Sequence, residues 1–335
     1  MPLPTTCKRV LFLAVCAGAA MSGPVLSVVG TEEIGKTRIA RWKDDKRAAV
    51  LLMFDDSVPS HVKNVVPALK KRDMTATFYV NAGTGHWQAL RDAWEKKIPA
   101  EGMEYGNHTM THKGARDVAH AEEEIRESNE VILGLFAGKQ PRLLSYGQPG
   151  VPKGAWNITD DQLKPILAKY HLVHRPKFQM AAVHLKTADD MTRLVDAAVA
   201  KGSCECVLFH GVGGDWISVP LEVFTALLDK LTAERDRVWV AGHIAAHQYE
   251  TERDAADVKL LEAGDLAIRL QLTSKADPQF YDFPLTLVTQ VPPAWKHCQI
   301  AQGAKKSAAT PVGGAVRYEA VPNGPPIAIE PREKP

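Results

Sequence analysis

The chain has 335 residues, enough to bury a large core either as one barrel-sized domain with extensions or as two domains. Hydrophobic residues make up 45% and charged residues 24%, an ordinary globular balance. The formal net charge is only +2 and no dense Lys/Arg run occurs, which excludes a nucleic-acid partner held by a basic arm and a substrate captured by bulk charge.

The N-terminus reads as an export signal over residues 1–22. Lys8 and Arg9 supply a short positive start, Val10 to Ala20 form an apolar run, and small residues (Ala17, Gly18, Ala19, Ala20, Ser22, Gly23) follow where a signal peptidase cuts. The run is too short to span a bilayer, so the expectation is a secreted or periplasmic protein with no stable membrane insertion after signal removal. Removing the signal also removes Cys7 and Cys16, leaving Cys204, Cys206 and Cys298 and hence at most one intramolecular disulfide. Cys204 and Cys206 share one face of an expected strand, at a separation poorly suited to bridging each other. A bridge from either to Cys298 stays open.

From about residue 47 short apolar runs alternate with longer amphipathic ones. Ala48–Phe54 (AAVLLMF) is uniformly hydrophobic, as a strand covered on both faces of a parallel sheet must be. His61–Arg72 places Val62, Val65, Val66 and Leu69 at helical spacing, and Thr75–Val80 is β-branched and aromatic, hence a strand. Trp87–Lys97 follows as a helix, Glu104–Asn107 as a short strand and Val118–Phe136 as a long helix with Glu122, Glu123 and Glu124 near its start. The alternation continues with a strand at Arg142–Tyr146, a helix at Asp160–Lys169, a strand at His171–His174, a helix over Thr187–Lys201 capped by Thr187, a strand ending at His210, a helix over Pro220–Ala233 and a strand at Val238–Ala241. About seven strand–helix pairs argue for an α/β barrel or a doubly wound sheet, and periodicity does not choose between them. Tyr249–Glu262 reads as a charged linking helix. Beyond residue 265 prolines become frequent and short alternating runs such as Leu285–Val288 and Val316–Ala320 indicate a smaller β-rich region. The expected division is therefore a barrel over 36–245, followed by the linking helix and β-rich C-terminal region over 246–335.

Strand ends are where an α/β scaffold presents reactive groups. Asp55 and Asp56 directly follow the first buried strand, and adjacent carboxylates there suit a divided role, one holding a cation and one taking a proton. Asp-Asp-Ser is equally good turn or capping chemistry. His108 and His112 lie four apart and on a helical turn would share one face and one metal ion. Spacing alone decides little: with 12 histidines in 335 positions chance gives about 0.4 such pairs, and His243 and His247 repeat the pattern. Context separates the two pairs. His108 and His112 lie within the barrel-like series downstream of Asp55-Asp56, and His210 ends a later strand, so two histidines and one carboxylate can hold a metal while the other carboxylate and His210 act as base and acid.

In order and spacing, Phe54-Asp-Asp-Ser57, Ala76-Thr-Phe-Tyr-Val80, Gly106-Asn-His-Thr-Met-Thr-His112 and Leu208-Phe-His210 resemble the polysaccharide deacetylase family, the NodB-homology group of carbohydrate esterases. The resemblance covers about residues 47–241. It implies a distorted (β/α) barrel, with Asp55 as general base, Asp56, His108 and His112 as metal ligands, His210 as general acid and Leu208 lining the pocket for the acetyl methyl group. It further implies one divalent metal ion, zinc as first choice with cobalt, manganese, nickel or iron as alternatives, and an acetylated carbohydrate as substrate. Three departures stand out. Ser57 replaces the glycine usual after the Asp pair. The family's Arg-Pro-Pro-Tyr segment, whose arginine orients the base, has only Tyr146-Gly-Gln-Pro-Gly150 as its nearest text, leaving Arg142 or Arg175 to substitute. The family's Asp-Trp segment, which supports the acid, has no counterpart before His210, since Asp215-Trp216 comes after it. These departures keep two rivals in view, a non-catalytic sugar-binding protein on the same fold and a metal-dependent amidase for a small non-sugar amide. Trp87, Trp94, Trp156 and Trp216 are candidates for stacking on sugar rings or, equally, for core packing. Oligomeric state is not legible.

Overall fold

A computed structural model describes residues 34–333 except 137 and 139, so the expected signal peptide with Cys7 and Cys16 lies outside the described residues. The strands in chain order are β1 (Thr37–Ile39), β2 (Ala48–Asp55), β3 (Thr77–Val80), β4 (Glu104–Asn107), β5 (Leu144–Tyr146), β6 (Leu172–His174), β7 (Gln179–Met180), β8 (Cys204–Phe209) and β9 (Val238–Ala241), then β10 (Ala256–Ala263), β11 (Ile268–Ser274), β12 (Leu285–Gln290), β13 (Cys298–Gln302), β14 (Lys305–Ala309), β15 (Ala315–Ala320) and β16 (Ile327–Pro331). Strands β2 to β9 form one parallel sheet in the order β6-β5-β4-β3-β2-β8-β7, with β9 also pairing against the first half of β2. No pairing joins β6 to β7, so the sheet curls into a distorted, open half-barrel.

Strand parity explains how the barrel is filled. Val50, Leu52 and Phe54 point outward into the large core beneath the helices, together with Phe78, Phe209 and Phe224. Leu51 and Met53 point inward and meet Tyr79, Cys206, Leu208 and Ala241 in a second, smaller cluster. Because side chains alternate along a strand, Asp55 continues the inward series of Leu51 and Met53, and His210 continues that of Cys206 and Leu208. Both therefore emerge at the C-terminal mouth, directly above the inner cluster. The same alternation turns His108 inward above Gly106, and Arg175 inward after Val173.

Most expected helices form where the periodicity placed them. Asp160–Lys169 and Ala188–Lys201 both start at capping boxes, on Thr159 with Gln162 and on Thr187 with Asp190. Two segments differ. His61–Arg72 opens with a wide π-type turn over His61–Val65 before Val66–Lys70 becomes α-helical. Trp87–Lys97 breaks into short pieces at Gly85–Ala89, Ala93–Lys97 and Ile98–Ala100, with Trp87 and Trp94 stacked in the core at 5.6 Å.

The linking helix is displaced: it runs over His243–Ala255, and residues 256–262, expected to continue it, lie in the edge strand β10. Its charged residues (Asp257, Lys259, Glu262) suit a solvent-facing sheet edge and mimic a helical charge pattern. The C-terminal region is β-rich as expected, with a five-stranded antiparallel sheet in the order β10-β11-β16-β13-β14 and a three-stranded sheet β1-β12-β15 around their own core. Strand β1, at the start of the expected barrel segment, pairs antiparallel with β12 and so belongs to that sheet. Cys204, Cys206 and Cys298 are all free thiols. No helix among the described residues is long and apolar enough to cross a membrane.

Phe54 ties the sheet to its outer helices, lying about parallel to Phe78 and Phe209 at 5.0 and 5.1 Å and edge-on to Phe224 at 6.0 Å. Phe54→Ala is expected to lower unfolding free energy by ~3–5 kcal/mol, as other fully buried aromatic truncations do. Chemical denaturation checks this, and a loss below about 1 kcal/mol would show that this core is not the one stabilising the barrel.

Candidate metal centre

At the barrel mouth the sequence turns sharply after Asp55. Asp56 and Ser57 take left-handed backbone at φ 80° and 52°, conformations a glycine adopts without strain. Ser57 tolerates it while its hydroxyl accepts a hydrogen bond from Asn81 N at 3.3 Å. The turn aims the two carboxylates differently. Asp55 keeps the inward direction of β2, while Asp56 faces the histidines.

The His108–His112 segment is an irregular loop after β4, not a helical turn. Thr109 and His112 both have positive φ, 62° and 59°. The loop is pinned by Glu124, a buried residue of the helix Val118–Gly134. Its carboxylate accepts from Thr111 N and Thr111 Oγ1, both at 2.8 Å, and its backbone carbonyl accepts from Met110 N at 3.0 Å. Asn107 Oδ1 accepts from Thr109 N at 2.9 Å and fixes the other end.

The result is a compact donor set in which Asp56, His108 and His112 each offer a ligand atom within 4.8 Å of the others. Asp56 Oδ1 lies 3.1 Å from His112 Nε2 and 3.4 Å from His108 Nε2, yet it is buried without a hydrogen-bond partner of good geometry. Burial opposes ionisation of Asp56, but the close contacts with His108 and His112 outweigh it and hold the carboxyl well below the usual range. His112 is affected reciprocally: burial lowers its pKa, and Asp56 more than offsets this and raises it. His108 Nδ1 lies 2.7 Å from the Gly147 carbonyl. A carbonyl only accepts, so Nδ1 carries the proton and Nε2 presents its lone pair to the centre, the tautomer a metal-ligating histidine needs. An orphaned buried carboxylate oxygen facing two imidazole nitrogens fits a divalent cation.

Asp55 borders that set, its Oδ2 3.5 Å from His108 Nε2, but its main partner is a different one. Arg175 Nη1 donates to both of its oxygens, at 2.7 and 2.9 Å. The guanidinium is held between the rings of Tyr79 and Phe178, 4.9 and 4.7 Å from their centroids. Of the two arginines the sequence left open, Arg142 instead ties down the C-terminal region, donating to the Gln279 carbonyl at 2.9 Å and pairing with Asp282. Gly147 makes the reach of Arg175 possible: a Cβ there would lie 2.8 Å from Tyr79 Cδ1 and 3.0 Å from Arg175 Cζ. The one sequence signal was Arg175-Pro-Lys-Phe178, which follows strand β6 instead of β5.

His210 lines the cleft above the centre, its Nε2 3.7 Å from Asp56 Oδ2. Its Nδ1 is buried and has no partner among the described residues, consistent with the missing Asp-Trp segment. Its carbonyl accepts from His61 Nε2 at 2.7 Å, a support the sequence reading missed. Burial lowers the His61 pKa to about 4, so the ring stays neutral. Leu208 is fully buried in the inner cluster and pairs with Met53, below the cleft and not among the residues lining it. The cleft encloses about 430 Å³ between Asp56, Asn81, His86, His112, His210 and Trp216. Of the four tryptophans that were candidates for stacking, Trp87 and Trp94 are core and Trp156 packs against it, leaving Trp216 at the cleft.

The second histidine pair holds nothing comparable. His243 Nδ1 contacts Ser145 Oγ at 2.6 Å, and His247 Nε2 contacts Tyr281 OH at 3.0 Å. Neither joins a cluster of three ligating residues among those described.

Residues 43–163 match the family model described as polysaccharide deacetylase. A peptidoglycan-N-acetylglucosamine deacetylase from Bacillus cereus is 31% identical over 131 residues, which is 37% of this chain and 46% of that protein. A gellan lyase from a Bacillus species is 24% identical over 298 residues, 79% of this chain but only 12% of that protein. The chain thus spans less than half the length of these relatives. Among solved structures, a CE4 family pseudoenzyme from Bacillus anthracis is similar at 20% identity with a TM-score of 0.41, over 58% of this chain and 63% of that one. The chain therefore carries a NodB-homology (CE4) polysaccharide deacetylase domain, to which an additional C-terminal β-sheet region is joined.

Two outcomes follow. Zinc-reconstituted protein should carry one metal per chain, lost in His108→Ala and retained in His243→Ala; metal analysis showing the reverse would move the centre to the second pair. Burial, and then repulsion from His247, His174 and Arg175, pushes the His243 pKa down to about 3. An unfolded chain takes up that proton near pH ~6.5, so between these values it binds more protons than the folded chain, and stability falls as pH drops through this window. His243→Asn should flatten the decline in denaturation midpoints between pH 6.5 and 4, and an unchanged slope would assign it to other groups.

Proposed function

We propose that this protein is a metal-dependent hydrolase that removes acetyl groups from an extracellular or cell-wall polysaccharide. The observation that carries the reading is the division of labour between the adjacent carboxylates. Asp56 faces both His108 and His112 as a ligand, while Asp55, which also borders His108 at 3.5 Å, has both oxygens engaged by Arg175. An arginine on the base was the feature whose absence kept a purely sugar-binding reading in view, and Arg175 supplies it.

Asp56, His108 and His112 would hold the cation, zinc by preference for a His-His-Asp set. A divalent ion bound there supplies Lewis acidity toward the acetyl carbonyl and the attacking water. Asp55 takes the water's proton. Arg175, hydrogen-bonded to both Asp55 oxygens, fixes the direction of their lone pairs. His210, across the cleft, donates a proton to the departing amine or hydroxyl, and His61 anchors its backbone. Leu208 contributes to the apolar inner layer beneath the acetyl site. The signal-like residues 1–22 support export, which would bring the site to a polymer outside the cell.

The carboxylate roles are separable by measurement. Asp55→Asn keeps shape but accepts no proton, so a roughly 10²–10⁴-fold loss of kcat is expected with metal still bound. Asp56→Asn should instead weaken metal affinity, with activity partly rescued by excess zinc. Near wild-type turnover in Asp55→Asn, or its rescue by added metal, would overturn the assignment.

A further inference from the structure

The loop between β8 and the helix Leu221–Ala233 carries two large apolar side chains into the open: Trp216 is 41% exposed and Ile217 47%, and both line the cleft. The backbone beneath them is strained and tightly closed. Ile217, a β-branched residue, has φ 45° and Asp215 φ 65°, conformations that persist only where the surroundings over-determine them. Gly211 N donates to the Trp216 carbonyl and Val219 N to the Gly211 carbonyl, both at 3.0 Å, and Gly213 N donates to the Val219 carbonyl at 2.8 Å. Asp215 Oδ2 accepts from Ser60 N at 2.7 Å, so the loop is bolted to the start of the first helix. Gly211 is obligatory, because a Cβ there would lie 2.0 Å from the Gly214 carbonyl oxygen.

This rigid loop sets the indole in a particular place. Its Nε1 donates to Asp56 Oδ2 at 3.0 Å, and its ring lies 4.9 Å from that of His86 at an interplanar angle of 50°. The hydrogen bond occupies one oxygen of Asp56 and leaves Oδ1 alone facing His108 and His112. The two tilted rings open a wedge onto the cleft directly beside the donor set.

We infer that Trp216 is a two-sided residue: its N–H edge turns Asp56 into a one-oxygen ligand, and its exposed face, with His86, seats a pyranose ring of the saccharide. Aromatic faces suit the axial C–H face of a sugar, while Asn81, Thr84 and Thr111 around the same cleft offer partners for its hydroxyls. The inference rests on the carbohydrate reading proposed above.

Two substitutions separate the two sides. Trp216→Phe keeps an aromatic face and loses the N–H, so zinc affinity, measured by competition with a chelator, should fall roughly 10–100-fold, the usual cost of losing a partner of a metal ligand. Its binding of an N-acetylglucosamine pentamer, measured by calorimetry on metal-free protein, should stay close to wild type. Trp216→Ala should lose zinc affinity to the same extent and also bind the pentamer roughly three- to tenfold more weakly, in line with the loss of one aromatic contact. Unchanged zinc affinity in Trp216→Phe overturns the orienting role, and unchanged pentamer binding in Trp216→Ala overturns the seat. Neither readout requires turnover. An inactive wild-type protein that shows both shifts would refute the deacetylase reading and leave this one standing; wild-type protein that binds no pentamer would refute the seat even if it released acetate from another substrate.

Discussion

Two adjacent carboxylates buried at the mouth of an apolar barrel are the constraint on which the rest of the site depends. Desolvating a carboxylate costs several kcal/mol unless it is paired and hydrogen-bonded. The chain meets that requirement twice, in different ways. Asp55 receives a guanidinium on both oxygens, itself desolvated between Tyr79 and Phe178. Asp56 receives an indole N–H on one oxygen and two imidazoles near the other, and that second oxygen is left without a hydrogen bond. The first solution saturates its carboxylate. The second leaves an unmet demand for positive charge beside two nitrogen lone pairs, one that a divalent cation would meet.

Much of the surrounding structure follows from those two solutions. Gly147 lacks a side chain where one would collide with Arg175, and its carbonyl fixes the tautomer of His108. Glu124 shapes the loop that brings His112 toward Asp56. The left-handed turn at Asp56 and Ser57 brings both carboxylates beside His108 while giving Asp55 to Arg175 and Asp56 to His112. Residues from β2, β4, β6 and β8 and from the loops after them converge because inward parity at each strand end points the same way, so a centre assembled from distant positions needs no long side-chain detours.

What the sequence revealed depended on whether the signal was local. The uniformly apolar β2 followed by Asp-Asp placed both carboxylates at a strand end without any tertiary information, and strand alternation placed His210. The histidine pair was visible as spacing, but its loop conformation was not, because it is imposed by Glu124 from a helix some dozen residues away. Arg175 could be named only as one of two options, since the arginine comes from the strand after the one searched and reaches its partner across a glycine. Trp216 was one of four candidate tryptophans until packing placed Trp87 and Trp94 in the core and Trp156 against it. In the C-terminal region, the charged strand β10 read as helix because an exposed edge strand lacks the buried alternate positions that distinguish strand from helix.

The coupling of Asp55 to Arg175 is the claim the site stands or falls on, and a double-mutant cycle measures it. Acetate release from acetylated oligosaccharides would be followed for zinc-loaded wild type, Arg175→Gln, Asp55→Asn and the double variant. If Arg175 acts through the base, each single substitution lowers kcat by at least about tenfold and the double variant is no slower than Asp55→Asn alone. Losses that multiply, or an Arg175→Gln protein that turns over at the wild-type rate, would contradict the account.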